Sequence, residues 1–84
     1  MALTFSTTNP PQRGQNFGQF FIDLYPQTTA GASGNTITLS ASRVISVMIS
    51  GIATGDIIWA YSRPTLTLSN LVDTKVYDIW VVHD

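Results

Sequence analysis

The sequence predicts an all-β fold: a small antiparallel β-sandwich of immunoglobulin-like or jelly-roll-like type, with six to seven strands and an extended N-terminal arm. Apolar and polar residues alternate in short runs, as they do in half-buried strands. Turn-forming residues separate these runs at intervals of about eight to twelve residues, which is typical of sandwiches and small barrels. Helical periodicity is missing from the whole chain, so we expect at most one short helical turn, within residues 26–35.

The clearest alternation lies in residues 43–61. Apolar residues fall on one face of each of two runs: Ile45, Val47 and Ile49 in the first, and Ile57, Trp59 and Tyr61 in the second. The connection GIATG, residues 51–55, has glycine at both ends, where a turn or bulge is least costly. We therefore predict that these two strands form a hairpin at the centre of the fold.

The other elements follow from the same pattern. We predict strands at residues 17–25, 36–40, 65–71 and 75–83, with a short additional strand at 2–6. Pro26 ends the first of them because proline cannot donate a ladder hydrogen bond. Residues 27–35 are a glycine-containing loop. The predicted core consists of Ile45, Val47, Ile49, Ile57, Trp59, Leu66, Leu68 and Ile79.

The N-terminal sixteen residues differ in composition from the rest of the chain. Pro10 and Pro11 lie among Gly, Gln and Asn residues, which favours an extended or polyproline-like backbone over a packed core. One interpretation is a flexible tail, and the other is an arm that contacts a neighbouring chain through these prolines. We therefore divide the chain into an arm at residues 1–16 and a sandwich domain at 17–84.

The last predicted strand is apolar on both faces. Tyr77, Ile79 and Val81 share one face, whereas Val76, Trp80 and Val82 share the other. A strand of a two-layer sandwich buries only one face inside its own domain. The second face is covered either by the N-terminal segment or by another subunit, and we predict an interface through Val76, Trp80 and Val82. A second candidate interface comprises Phe17, Phe21 and Tyr25.

Composition excludes several classes of function. Charged residues make up 11% of the chain, against about 25% in a typical soluble domain. The net charge of −1 and the scattered cations predict no nucleic-acid partner. With no cysteine and one histidine, we expect no metal site and no cofactor. We also expect no signal peptide, and the sequence contains no apolar run long enough to span a membrane.

The residues of a hydrolase are present but show no catalytic spacing. His83 is the single histidine of the chain. Ser33, in the stretch GASG, lacks the sequence pattern of a nucleophile elbow. Most of the aspartates are interpreted as turn or strand-end residues. We therefore predict no catalytic residue and no enzyme. Sugar binding remains an alternative, because aromatic rings can stack on a pyranose; the candidates are Tyr25, Trp59, Tyr61, Tyr77 and Trp80.

Two segments, ISGIATGDIIWAYS and TLTLSNLVDTKVYDIWVV, resemble small β-sandwich modules of tailed-phage virions. The uncharged surface rich in Ser and Thr is similar to that of capsid decoration (cement) proteins. This resemblance implies a non-enzymatic protein of the virion, made in the host cytoplasm. It also implies a homo-oligomer, with a trimer favoured, that grips the major capsid protein with a terminal arm. The alternative is a receptor- or glycan-binding module of a phage tail or fibre.

Overall fold

A computed structural model of the protein describes residues 3–8, 10–51 and 53–84, with the backbone alone for Phe17 and for residues 53–56. The described residues form seven strands and no helix, which confirms the predicted all-β class. The strands are β1 (Gln12–Phe17), β2 (Phe20–Thr29), β3 (Thr36–Thr38), β4 (Val44–Ser50), β5 (Ala53–Ser62), β6 (Thr65–Leu71) and β7 (Val76–His83).

The strands form two antiparallel sheets, as expected for a small β-sandwich. Sheet A has four strands in the order β1-β2-β7-β4, and sheet B has three in the order β3-β6-β5. The last strand, β7, is central in sheet A, because it pairs with β2 on one side and with β4 on the other. Residues that face each other across an antiparallel pair project to the same side, so these pairings define which side chains meet between the sheets.

The core lies between the two sheets. From sheet A, Tyr25, Tyr77, Ile79 and Val81 are almost completely buried, and from sheet B, Ile37, Leu66 and Leu68 are. The predicted core residues Val47, Ile49, Ile57 and Trp59 are partly buried and pack against this cluster. Seven of the eight predicted core residues therefore face the core, and Ile45 is the exception, with 38% of its surface exposed.

The exposure of Ile45 results from a bulge in β4. Val44 pairs with His83 and Ser46 pairs with Val82. Because His83 and Val82 are consecutive in β7, Ile45 is an extra residue in β4 that has no partner in β7. A bulge shifts the alternation by one residue. Val44 consequently packs against the core, and Ile45 turns outward. The prediction for Ile45 was wrong because simple alternation carries no sign of a bulge.

The predicted central hairpin is also wrong. β4 pairs with β7 in sheet A, whereas β5 pairs with β6 in sheet B, so the chain crosses from one sheet to the other after Ser50. Gly51 has another role than a hairpin turn: a side chain at this position would collide with the buried ring of Tyr77. Ile52, within the predicted turn, lies outside the described residues.

The N-terminal part of the chain contributes a strand that was not predicted. β1 pairs with β2 across a tight turn at Gly18, whose φ of 66° favours glycine, so the predicted boundary at residue 16 falls inside a hairpin. Pro26 does not end β2, which continues to Thr29 after a register shift between Tyr25 and Thr28. A bulge of this kind is one of the places where a sheet accommodates proline.

Residues 3–8 lie against the sandwich. Of the predicted strand at 2–6, the described part forms a single bridge, in which Thr4 and Thr29 exchange two backbone hydrogen bonds of 2.9 Å. Leu3 and Phe5 pack against the core, and the Phe5 ring lies 5.4 Å from the Tyr25 ring. This segment therefore contributes to its own domain, and its contact with a neighbouring chain stays a prediction.

Candidate functional site

The outer side of sheet A carries a set of apolar side chains, which we call the apolar face. One row across the sheet contains Leu24, Trp80 and Met48, because Trp80 is paired with each of the other two. The next row contains Ile22 and Val82, with Ser46 completing it. By strand alternation, the apolar face comprises Phe20, Ile22, Leu24, Met48, Val76, Trp80 and Val82.

Solvent reaches this face to different extents. Met48 and Val76 are 52% and 53% exposed, whereas the other five side chains are half-buried. Trp80 is flanked by Leu24 and Met48, so its own sheet already covers part of the ring. Asp78 also lies on this side of β7, and its carboxylate accepts a 2.9 Å hydrogen bond from the Gln27 backbone N–H. The face is therefore apolar at its centre, and the polar pair of Asp78 and Ser50 separates Val76 from Trp80.

The structure brings together one predicted interface and divides the other. Val76, Trp80 and Val82 do share the outer side of β7, and Ile22 and Leu24 of β2 extend this surface. Alternation within β2 puts Phe20, Ile22 and Leu24 on one face, but it does not show whether that face lies inside or outside the sandwich. The face of β2 could be assigned to the outside only from the pairing of β2 with β7, which alternation alone does not reveal.

The second predicted interface is not a single surface. Tyr25 is fully buried in the core, so its side chain is inaccessible to a partner. Phe21 is 39% exposed at the end of the sandwich, where its ring stacks on the imidazole of His83 at 6.0 Å. The side chain of Phe17 lies outside the described residues. In the N-terminal segment, Pro10 is exposed and Pro11 is half-buried.

The contacts of residues 3–8 bear on what covers the apolar face. Phe5 lies against Tyr25, and Tyr25 projects into the core, on the opposite side of β2 from Leu24. The bridge between Thr4 and Thr29 places the segment at the end of β2. These contacts lie on the core side and at the end of the strand. They do not support the alternative that the N-terminal segment covers Trp80.

A polar cluster at one end of the sandwich centres on the buried carboxylate of Asp23. Its Oδ1 accepts a 2.7 Å hydrogen bond from the backbone N–H of Gly14, and its Oδ2 accepts one of 3.2 Å from the Tyr25 hydroxyl. His83 Nε2 lies 3.1 Å from Oδ1. The guanidinium of Arg13 lies 5.5 Å from the centre of the Tyr25 ring. The cluster joins β1, β2 and β7.

The surroundings of His83 favour its protonated form. Nδ1 lies 3.0 Å from the Asp84 carbonyl oxygen, and Nε2 faces the Asp23 carboxylate without the alignment of a directed hydrogen bond. Burial is the largest single effect and lowers the pKa of His83, but the Asp84 carbonyl and the Asp23 carboxylate together raise that pKa above its ordinary value of 6.5. Burial, followed by the charge of Asp23, also raises the pKa of Tyr25.

This chemistry argues against a hydrolase. Ser40 lines a shallow cavity together with His83 and Asp23, so the residue types of a catalytic triad do meet here. A general base, however, needs one ring nitrogen that is free to accept a proton. Both nitrogens of His83 face acceptor oxygens, and the imidazole is therefore held as a proton donor. The arrangement fits a structural clamp.

The aromatic residues considered for sugar binding are mostly directed inward. Tyr25 and Tyr77 are buried, and Trp59 and Tyr61 pack against the core. The Tyr61 hydroxyl donates to the carbonyl oxygens of Leu39 and Ala41. Only Trp80 of the five candidates lies on the outer side of a sheet. Its directly paired neighbours Leu24 and Met48 are apolar, and Gln12 follows Leu24 in the same row.

The part of the chain that the structure describes contains no group of three or more histidine, aspartate or glutamate side chains placed to hold a metal ion. It also contains no helix of the length and apolar character needed to cross a membrane. Comparisons with protein-family models, curated proteins and solved structures found no match to the chain.

Proposed function

We propose that this chain is a non-enzymatic structural protein of a virion, a capsid decoration (cement) protein that docks through the apolar face of sheet A. The observation that carries the proposal is this face, with Trp80 and Met48 in its central row. Contiguous apolar surface of this kind marks interaction sites, and aromatic residues and methionine are enriched in interfaces.

The proposed mechanism is mechanical. Covering the apolar face removes hydrocarbon surface from water, and the free energy gained is added to the cohesion of the shell. The same contact stabilises the small domain by mass action, because the partner binds the folded chain and not the unfolded one. A chain with 11% charged residues also presents few charges that a docking surface must desolvate.

The proposed partners are further copies of this chain and the major capsid protein, which is the assembly that the resemblance to decoration proteins implies. The N-terminal arm is part of this proposal. Pro10 and Pro11 precede β1, and Pro10 is exposed whereas Pro11 is half-buried. A proline-containing segment loses little conformational entropy when it docks, so a contact made there has a small entropic cost. The location on the virion follows from this role.

The alternative module of a phage tail or fibre that binds a receptor or glycan is less well supported. Four of its five candidate stacking residues, Tyr25, Trp59, Tyr61 and Tyr77, face the core. Trp80 alone would have to provide the stacking surface.

The test is to quantify this chain in purified virus particles by mass spectrometry with isotope-labelled peptides. A decoration protein is expected at a copy number of the same order as the major capsid protein. A few copies per particle would instead indicate a tail module, and absence from the particles would overturn the proposal.

A binding experiment then tests the apolar face itself. Particles stripped of this protein are incubated with the unmodified chain, with Trp80→Ala or with Ile58→Ala. Ile58 is 57% exposed and belongs to the outer side of sheet B, so it is the matched control. We expect Trp80→Ala to lose occupancy and Ile58→Ala to retain it. Equal occupancy of both variants would exclude the apolar face as the docking surface.

A further inference from the structure

The two sheets have four edge strands, and three of them carry features that discourage pairing with another chain. β1 contains Arg13 and a register shift between Gln12 and Gln15. β3 is only three residues long. β5 contains Gly55 and Asp56 in its sequence and has a register shift between Ala53 and Ile58. Charges, bulges and short length are the devices by which sheet edges avoid unwanted partners.

The fourth edge strand, β4, lacks most of these devices. Its sequence VISVMIS contains no charged residue, glycine or proline. In the described pairings, β4 meets a strand only on its β7 side. The bulge at Ile45 lies near one end, and Ser46 to Ser50 remain in unbroken register with β7. Their outward-directed backbone N–H and C=O groups are therefore open to a second strand.

We propose that β4 pairs in antiparallel orientation with β4 of a second copy of this chain, about a two-fold axis at Met48. In this register Met48 faces Met48 of the second copy. Val47 faces Ile49 of the second copy, and Ser46 faces Ser50. The two four-stranded sheets then become one continuous eight-stranded sheet, which is the strand-addition mode of recognition applied to two identical edges.

A second copy is the occupant because the strand is complementary to itself in this register. A two-fold contact requires that each residue match its symmetry-related counterpart. Here apolar residues face apolar residues on both sides of the sheet, and serine faces serine. The contact also brings no charged residues of β4 together, whereas like charges placed directly opposite would destabilise it.

The pairing also extends the surfaces that the structure already has. On the outer side, the row of Leu24, Trp80 and Met48 continues across the axis into the same row of the second copy. On the inner side, Val47 and Ile49 adjoin the equivalent residues, so both cores are lengthened. The exposed flank of Met48, at 52%, is covered by the contact.

This inference stands apart from the proposed function, because it concerns an edge of sheet A and not its face. It also specifies a different contact from the three-fold one expected of decoration proteins. A dimer that fails to bind particles would overturn the proposed function alone. A monomer that binds particles through Trp80 would overturn the dimer alone.

The first experiment uses the fact that the unmodified chain contains no cysteine. Met48→Cys places two thiols opposite each other across the axis, at a separation of opposed strand residues that a disulfide can bridge. Ile58→Cys, which replaces a side chain of similar exposure on sheet B, is the control. Under mild oxidation we expect Met48→Cys to form a covalent dimer faster by about tenfold or more, because docking raises the effective thiol concentration.

The second experiment tests the register. Chains carrying Ser46→Cys and Ser50→Cys are mixed, and each is also oxidised by itself. The mixture is expected to cross-link faster than either chain alone, because Ser46 faces Ser50 of the other copy in the proposed pairing.

Sedimentation equilibrium of the unmodified chain measures its mass directly. We expect a reversible dimer, which Met48→Lys converts to a monomer while Ile58→Lys does not. A monomeric mass for the unmodified chain at every concentration, equal oxidation rates of Met48→Cys and Ile58→Cys, or no preference in the serine mixture would overturn the proposed dimer.

Discussion

The outer sides of the two sheets differ sharply in chemistry. On sheet A the outer side is the apolar face, centred on Leu24, Trp80 and Met48. On sheet B the corresponding positions hold small polar or small apolar residues. These are Thr36, Thr38, Ala60, Ser62, Thr65, Thr67 and Ser69, with Ile58 as the large apolar exception.

Both sheets direct apolar side chains toward the shared core. The two sheets therefore differ only in the side chains that they direct away from the core. An antiparallel sheet can leave one side in water when that side is polar, as sheet B does with its hydroxyl groups. Sheet A instead retains apolar residues on a side against which no other described strand of the chain packs. The fold therefore needs only one apolar face on each sheet, and the second apolar face of sheet A is available for contact with another molecule.

The largest expected effect separates the two tryptophans. Trp59 faces the core from sheet B, whereas Trp80 lies on the outer side of sheet A. We expect Trp59→Ala to lower the free energy of unfolding by about 3 kcal/mol through lost burial and a cavity. Trp80→Ala should lower it by about 1 kcal/mol, because its ring lies on the side of sheet A that faces away from the buried cluster. Denaturant unfolding of the isolated chains measures both values.

The opposite order of the two losses in stability would contradict this difference between the sheets. If Trp80→Ala unfolds the isolated chain while Trp59→Ala is tolerated, then sheet A buries its outer side within the domain.

The next effect compares two neighbouring residues of β4. Val47 packs against the core, and Met48 projects to the other side with 52% of its surface exposed. Val47→Ala should cost about 1–3 kcal/mol, and Met48→Ala less than about 0.5 kcal/mol. Thermal unfolding at protein concentrations low enough to disfavour association checks the pair. Equal costs at the two positions would show that the alternation assigned to β4 is incorrect.

A smaller effect on stability is expected when the apolar face is made to resemble sheet B. The double variant Ile22→Thr and Val82→Thr changes two facing residues of β2 and β7 into the residue type that sheet B displays. Threonine keeps the β-branched shape that suits strands, so we expect a loss of about 1 kcal/mol or less. Binding to particles should fall strongly, as measured by occupancy. Unchanged occupancy would show that this row is not part of the contact.

The smallest expected effect concerns pH and the clamp at the end of the sandwich. Because the native pKa of His83 is raised above 6.5, its contribution to stability is fully present below pH 6.5 and is lost as the pH rises through the native pKa. Denaturant midpoints should therefore decrease over this interval in the unmodified chain. His83→Gln should show a flatter profile there. An identical profile in the variant would mean that other groups cause the change.

Local pattern was sufficient to predict much of the fold. The all-β class, the positions of β4, β6 and β7, and the inward direction of Leu66, Leu68 and Ile79 follow from alternation with a period of two. The same alternation separated Val76, Trp80 and Val82 from Tyr77, Ile79 and Val81, and the burial of the second group in the structure leaves the first on the outer side of β7. Which residues share a face is a property of a single strand and can be assigned from its own residues.

Pairing could not be read in this way, because it depends on residues that are distant in the chain. β4 and β5 are adjacent in sequence but belong to different sheets, and β2 meets β7 across most of the chain. Which of two apolar faces turns inward is decided only when strands pair. Tyr25 was therefore assigned to a surface, although it is buried, and Leu24 was not, although it lies beside Trp80.

The amino-acid pattern is enough to show that this chain forms strands, where most of them lie, and that both faces of its last strand are apolar although its own core can cover only one. The pairing of the strands is what joins the outer face of β7 to those of β2 and β4, turns Ile45 outward at a bulge, and brings Asp23, Tyr25 and His83 together at one end. The physical reason is that alternation acts within a strand, whereas register, bulges and buried polar contacts act between strands.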